Sequence, residues 1–209
     1  MIKLYGVIPS RSNRVHWALE EIGCPYEFYQ LDFSKGDQRG DFFKGLNPAG
    51  KMPVLQDDDF VLTESLAIVN YLGEKFPESR LTPPGGTRDR AKYDQWTCFV
   101  ISELEQPLWT KGKHTFALPE AQRKPAVIET ALWEFERAAK LLSQGLAGRR
   151  FLVGDGFTSA DIFAAHTLRW AVKFQFSIAY PGLEDYLERM EKRPAFARIW
   201  ETEKLPLPC

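Results

Sequence analysis

Apolar and polar positions divide the chain into a first part that mixes strand and helix signals and a longer second part that is helical throughout. Ile2-Lys3-Leu4-Tyr5 has strand character, and Gly6 to Pro9 form a loop. Val15, Ala18, Leu19 and Ile22 then recur at helical spacing, which predicts a helix over about 12–22. Gly23 and Pro25 supply its stop. Tyr26 to Leu31 is rich in aromatic residues and predicts a second strand, parallel to the first because a helix connects them. A polar stretch from Ser34 to Asp41 leads to the turn signal Asn47-Pro48-Ala49-Gly50. Val54-Leu55-Gln56 and Phe60-Val61-Leu62 flank Asp57-Asp58-Asp59, which predicts a hairpin. Leu66, Val69, Leu72 and Phe76 mark the next helix.

Pro77 to Thr87 holds three prolines and two glycines and predicts a linker. Beyond it strand signals largely stop. Tyr93, Trp96, Val100 and Leu104 form one helical stripe, and Ile128, Ala131, Leu132, Phe135 and Leu142 form another, as expected of a helix bundle. Pro107 is expected to kink or end the first of these helices. Thr158 and Asp161 have the spacing of a capping box, with Phe157 and Ile162 at the positions of a hydrophobic staple. The usual box carries Glu or Gln where this chain has Asp161, which weakens the expected return bond. Two domains with a linker result: 1–78, 79–87 and 88–209.

Composition narrows the function classes. The chain is 44% hydrophobic and 26% charged with a formal net charge of -1, ordinary values for a soluble globular protein. Its Lys and Arg are scattered, so no global field draws it to nucleic acid or an acidic membrane. No apolar run approaches the roughly 20 residues that span a bilayer, and Met1-Ile2-Lys3-Leu4-Tyr5 does not read as a secretory signal. Cys24, Cys98 and Cys209 are far apart and odd in number, which argues against a disulfide framework or a zinc site and favours a reducing cytosol. His16, His114 and His166 share no metal-ligand spacing, so no metal is expected.

A β-α-β-β-α unit with a proline before its third strand resembles the thioredoxin fold, and an all-helical domain after a Pro/Gly linker resembles the soluble glutathione transferase superfamily. Four segments carry the resemblance, in order along the chain. Leu4-Tyr5 through Ser10 with Arg14-Val15 and Leu19-Glu20-Glu21 looks like that family's first strand and helix. Asn47 to Leu55 looks like its cis-proline loop, Glu64-Ser65 like its γ-glutamyl-binding pair, and Phe157 to Ile162 like its capping box. The resemblance is to a bacterial-like, serine-type member. It implies a thioredoxin-like α/β N-terminal domain, an all-α helix-bundle C-terminal domain, glutathione as co-substrate, a cytoplasmic detoxification role and a homodimer.

The residues make this chemistry reasonable. Beside a cis Met52-Pro53 bond, the N–H and C=O of Val54 would be free to pair with the cysteinyl backbone of glutathione as an added strand. Ser65 opens a helix whose free N–H groups and dipole favour the γ-glutamyl carboxylate, while Glu64 matches the α-ammonium. Lys51, with Gln38 and Arg39 as further candidates, can meet the glycyl carboxylate. Where thioredoxin-like redox enzymes carry Cys, this chain has Pro9-Ser10-Arg11-Ser12. A thiol of pKa about 8.5 is only a few per cent ionised at neutral pH, and lowering it about two units takes roughly 2.7 kcal/mol. One hydrogen bond to a charged group supplies about 1.5–3 kcal/mol. Ser10 matches the family's catalytic serine, Ser12 competes with it or simply caps the first helix, and Arg11 adds positive field. Tyr5 lies in the strand and is expected in the core. Tyr93, Trp96, Trp109 and Phe116 are candidates for an apolar pocket for a small electrophile, or for plain helix core. Two alternatives share the scaffold: a glutathione-dependent disulfide reductase or peroxidase, isomerase or dehalogenase, and a non-catalytic glutathione-binding regulatory protein.

Overall fold

The structure, a computed structural model, describes residues 1–208, so Cys209 lies outside the described residues. The described residues fold into two compact units, 1–82 with 192–208 and 83–191. In the first unit, β1 (Ile2–Gly6), α1 (Ser12–Ile22) and β2 (Tyr26–Gln30) form the expected parallel crossover. β3 (Val54–Asp57) and β4 (Phe60–Thr63) follow as the predicted hairpin, and α3 (Ser65–Lys75) closes the unit's α/β part. The sheet order is β2-β1-β3-β4, with β3 antiparallel to both neighbours. Leu4, Tyr5, Phe28, Val54 and Leu55 are buried in the sheet, and Val15, Leu19, Ile68, Val69 and Leu72 are buried along α1 and α3.

The structure adds a short helix between the polar stretch and the Asn47–Gly50 turn: α2 (Asp41–Leu46), preceded by one 3-10 turn at Asp37–Arg39. Phe43 is its buried residue, and six residues are too few to show a full amphipathic period.

The unit boundaries differ from the sequence-based domains at both ends. Gly73 of α3 packs tightly on Thr82, so the chain stays with the first unit past residue 78. Residues from Lys192 onward also belong to the first unit, through α9 (Pro194–Glu201) packed on α1. Arg193 makes a two-point ion pair with Glu21 at 2.6 and 2.8 Å, Arg198 binds Glu20 at 2.7 Å, and Trp17 meets Phe196. Nothing in local periodicity announces that a helix so far past the linker returns to the first sheet's helix layer.

In the second unit, α4 (Arg88–Phe99) starts at Thr87, whose hydroxyl accepts the Arg90 N–H at 3.1 Å. It continues through a π-helical stretch at Val100–Leu104 into α5 (Glu105–Gly112) and a second π-helical stretch at Lys113–Ala117. Pro107 therefore does not end the helix. It is buried within α5, and the widened turns just before it relieve the bond that its missing N–H would break. α6 (Val127–Leu146), α7 (Ser159–Lys173) and α8 (Leu183–Glu191) complete the bundle. The capping box at α7 forms with Asp in the return position: the Thr158 N–H donates to Asp161 Oδ2 at 3.0 Å. Asp161 also accepts the Leu152 N–H at 2.9 Å and the Tyr186 hydroxyl at 2.8 Å, so its shorter side chain serves as a buried hub for three segments. Among the described residues no helix is long and apolar enough to cross a membrane.

His16 of α1 is fully buried, stacked on Phe28 and edge-on to Tyr26, with Nε2 3.0 Å from the Thr202 hydroxyl. Burial pulls its pKa down from 6.5 to about 4, against the attraction of Glu20 and with the repulsion of Lys204. Above about pH 6.5 the imidazole is neutral in the folded and the unfolded chain alike. Between about pH 6.5 and 4 the unfolded chain binds a proton that the native chain refuses, so stability falls as pH falls across that window. Urea unfolding should show the wild type losing about 2 kcal/mol more than His16→Gln between pH 7 and pH 5. Equal losses would show that His16 titrates normally.

Candidate functional site

The register of three strands brings the candidate residues to one end of the sheet. Tyr5 of β1 lies opposite Val54 of β3, and Val54 lies opposite Thr63 of β4. The loop after Gly6, the loop before Val54 and the start of α3 after Thr63 therefore all emerge at the same edge. Gly6 is also aligned with Gln30, the last residue of β2, so the chain leading to Gln38 leaves from that end too.

The loop after β1 is tied by its two serines. Ser10 Oγ donates to the Val7 carbonyl at 2.6 Å and accepts the Ser12 N–H at 3.0 Å. Ser12 Oγ lies 2.9 Å from Ser10 Oγ and accepts the Val7 N–H at 3.3 Å. Asn13 adds a clamp, its Oδ1 accepting the Ser10 N–H and its own N–H donating to the Ser10 carbonyl, each at 3.0 Å. Gly6 is required here, because a Cβ would come within 2.4 Å of Ser12 Oγ. Ser10 is half-buried, whereas Ser12 has no exposed surface and is the first residue of α1 rather than its cap. Of the two hydroxyls only that of Ser10 reaches the surface, and Ser12 is hydrogen-bonded to it from below. Arg11 is half-buried at the N-cap position with no side-chain cap.

The loop before β3 is equally built. Asn47, nearly buried, donates its side-chain amide to the Lys51 carbonyl at 2.7 Å and accepts the Ala49 N–H at 3.1 Å. Gly50 takes φ +61° against the Gln38 carbonyl, which a Cβ would approach to 2.7 Å. Gln38 thus touches this loop, and its side-chain oxygen is buried without a hydrogen-bond partner; Arg39 and Lys51 are exposed. Met52-Pro53 is cis, as the resemblance implies, and so is Ile8-Pro9, which the sequence pattern does not signal. The expectation for Val54 needs correction. Its main chain is flanked by strands on both sides, so it has no open edge for another peptide. Met52 stands outside the ladder, half-buried, and no main-chain hydrogen bond to it is seen among the described residues.

α3 opens as predicted at Ser65, which is nearly buried, directly after exposed Glu64. Glu64 adopts φ +66° and ψ 115° and makes no side-chain cap, so the first N–H groups of α3 lack the usual side-chain acceptor. A non-glycine residue held at positive φ away from the left-handed helical basin is strained by about 1–3 kcal/mol.

Tyr5 is core, as expected: it is buried, stacks on Tyr29 and donates to Gln56 Oε1 at 3.0 Å, and burial pushes its phenol up to about 12. In the helical unit the aromatic candidates separate. Tyr93 is fully buried core with its hydroxyl 2.8 Å from Ser159 Oγ, and half-buried Trp96 packs over Gly145 of α6. Trp109 is half-buried, while Phe116 is 58% exposed, meets Phe174 edge-on and borders a groove with Lys111, Thr115, Lys173 and Gln175. Cys24 is half-buried and Cys98 exposed. His114 Nδ1 accepts the Lys124 N–H at 3.0 Å. Among the described residues, no group of three His, Cys, Asp or Glu side chains has metal-binding proximity.

A thioredoxin-like unit followed by a helical unit matches known proteins along nearly the whole chain. The family model for the glutathione S-transferase N-terminal domain matches residues 1–74, and that for the C-terminal domain matches 105–194. Glutathione S-transferase Z2 of Arabidopsis thaliana is 32% identical over 200 residues, covering 93% of this chain and 88% of that protein. Glutathione S-transferase GstA of Escherichia coli O157:H7 is 29% identical over 186 residues, covering 86% and 87%. Among solved structures, a glutathione transferase from Methylococcus capsulatus superposes with a TM-score of 0.85 at 30% identity, covering 96% of this chain and 98% of that one. The glutathione transferase URE2P6 of Phanerochaete chrysosporium, in complex with oxidized glutathione, gives 0.84 at 29% identity, covering 96% and 94%. The chain belongs to the glutathione S-transferase family.

The strain at Glu64 is directly testable. Glu64→Gly should raise unfolding free energy by about 1 kcal/mol relative to Glu64→Ala, because glycine tolerates this φ and alanine does not. Equal stabilities in urea would mean that the backbone conformation is not retained.

Proposed function

We propose that the protein is a glutathione transferase that binds glutathione across this end of the sheet and activates its thiol for attack on small electrophiles. The observation that carries the reading is the convergence of three prepared groups on one sheet edge: an open main chain at Met52, an uncapped helix start at Ser65 and the half-buried Ser10 hydroxyl. The cysteinyl backbone of the tripeptide pairs with Met52 as a short added strand. Its γ-glutamyl carboxylate lies on the Ser65 hydroxyl and the free N–H groups of α3, where the helix dipole favours an anion, and Glu64 receives the α-ammonium. Lys51 meets the glycyl carboxylate, with Gln38 beside it against Gly50.

Ser10 donates its hydroxyl to the thiolate. In the structure that proton is spent on the Val7 carbonyl, so activation requires the hydroxyl to turn toward the sulfur. The Ser12 N–H continues to hold the Ser10 oxygen, and a hydrogen bond donated to Ser10 makes it the better donor in turn. Arg11 supplies positive field at the start of α1. Thiolate stabilisation and proximity are the catalytic terms. A cytoplasmic homodimer is the assembly this reading carries.

Calorimetry should detect glutathione binding to the wild type in the millimolar range or tighter; no heat at millimolar ligand would refute the reading. Ser10→Ala should lower turnover about tenfold to a hundredfold with binding largely kept, as removal of one charged-acceptor hydrogen bond implies. An unchanged rate would remove Ser10 from the chemistry.

A further inference from the structure

The segment after α9 forms a fifth rung on the outer edge of β2. The Leu205 N–H donates to the Phe28 carbonyl and the Gln30 N–H donates to the Leu205 carbonyl, both at 2.9 Å, giving a parallel bridge between Leu205 and Tyr29. Its approach is anchored by Thr202, whose hydroxyl lies 3.0 Å from His16 Nε2 and 3.3 Å from Glu20 Oε1. Two residues past the bridge, Leu207 packs on the buried cluster of Tyr5, Leu31, Phe43 and Val54. Met52 and Leu46, on either side of the Asn47–Lys51 turn, pack on that same cluster. The segment thus covers the unpaired edge of β2 and adds an apolar side chain to the patch that supports the proposed glutathione loop.

We infer that Leu207 is a positioning residue for this loop: it packs the cluster under Met52 and thereby holds the main chain that glutathione pairs with. The inference rests on the glutathione-binding reading above. Leu207 acts through the cluster, without contact to the reacting sulfur. Coupling of this kind is reciprocal, so ordering Met52 by ligand must in turn tighten the segment.

Two measurements test it on the full chain. In the wild type, saturating glutathione should slow amide exchange at Leu205 and Gln30 along with the Met52–Val54 loop. Slowing at the loop with unchanged rates at Leu205 and Gln30 would overturn the inference while leaving glutathione binding intact. In calorimetry, Leu207→Ser should weaken glutathione binding about tenfold, within the usual range of coupling between sites. Leu207→Met should restore it, and turnover at saturating glutathione should change less than about twofold in both variants because Ser10 is untouched. Wild-type affinity in Leu207→Ser would overturn the inference alone. Absence of glutathione binding to the wild type would overturn both readings together. If Leu207→Ser fails to fold, the wild-type exchange measurement still decides.

Discussion

The alignment of Val54 with Tyr5 on one side and Thr63 on the other is the constraint on which the site depends. It makes the ends of β1 and β4 and the start of β3 coincide, so that three loops distant in sequence meet at one edge. A slip of one residue in either pairing would exchange the faces of Val54 and Leu55, both fully buried, and force the packing on both sides of the sheet to change. The same alignment explains why the main chain of Val54 lies within the ladder while Met52, two residues earlier, stands outside it. Side-chain clamps then set the loops: Asn47 around the turn before Met52, and Asn13 with Ser12 around Ser10.

Most of the fold was legible in the sequence. The helical period of Val15, Ala18, Leu19 and Ile22, the aromatic run at Tyr26 and the Asp-rich turn between Val54 and Phe60 each correspond to an observed element. The capping box was legible from Thr158 and Asp161, and its strength was underestimated because Tyr186 and Leu152 contribute from outside the box itself. What escaped was tertiary. Ser12 is fully buried and Ser10 half-buried, a difference that two neighbouring serines do not encode. The closed main chain of Val54 depends on strands at both flanks. Tyr93 and Trp96 share a helical stripe, and only the packing of α7 on Tyr93 and of α6 on Trp96 shows the first to be fully buried and the second half-buried.

The return of α9 to α1 is the least local feature of the chain. It ties Glu20, Glu21 and His16 to Arg193, Arg198 and Thr202 through ion pairs and hydrogen bonds, several of them partly shielded from water. They brace α1, the helix into which the Ser10 loop leads, and so make the first unit a single support for the loops at its edge.

The most direct test of the account is a crystal structure of the protein soaked with glutathione. The cysteinyl N–H and C=O should pair with the main chain of Met52, the γ-glutamyl carboxylate should lie on Ser65 at the start of α3, and the sulfur should be within hydrogen-bond distance of Ser10 Oγ. Glutathione bound away from this sheet edge, or paired with Val54 in place of Met52, would contradict it.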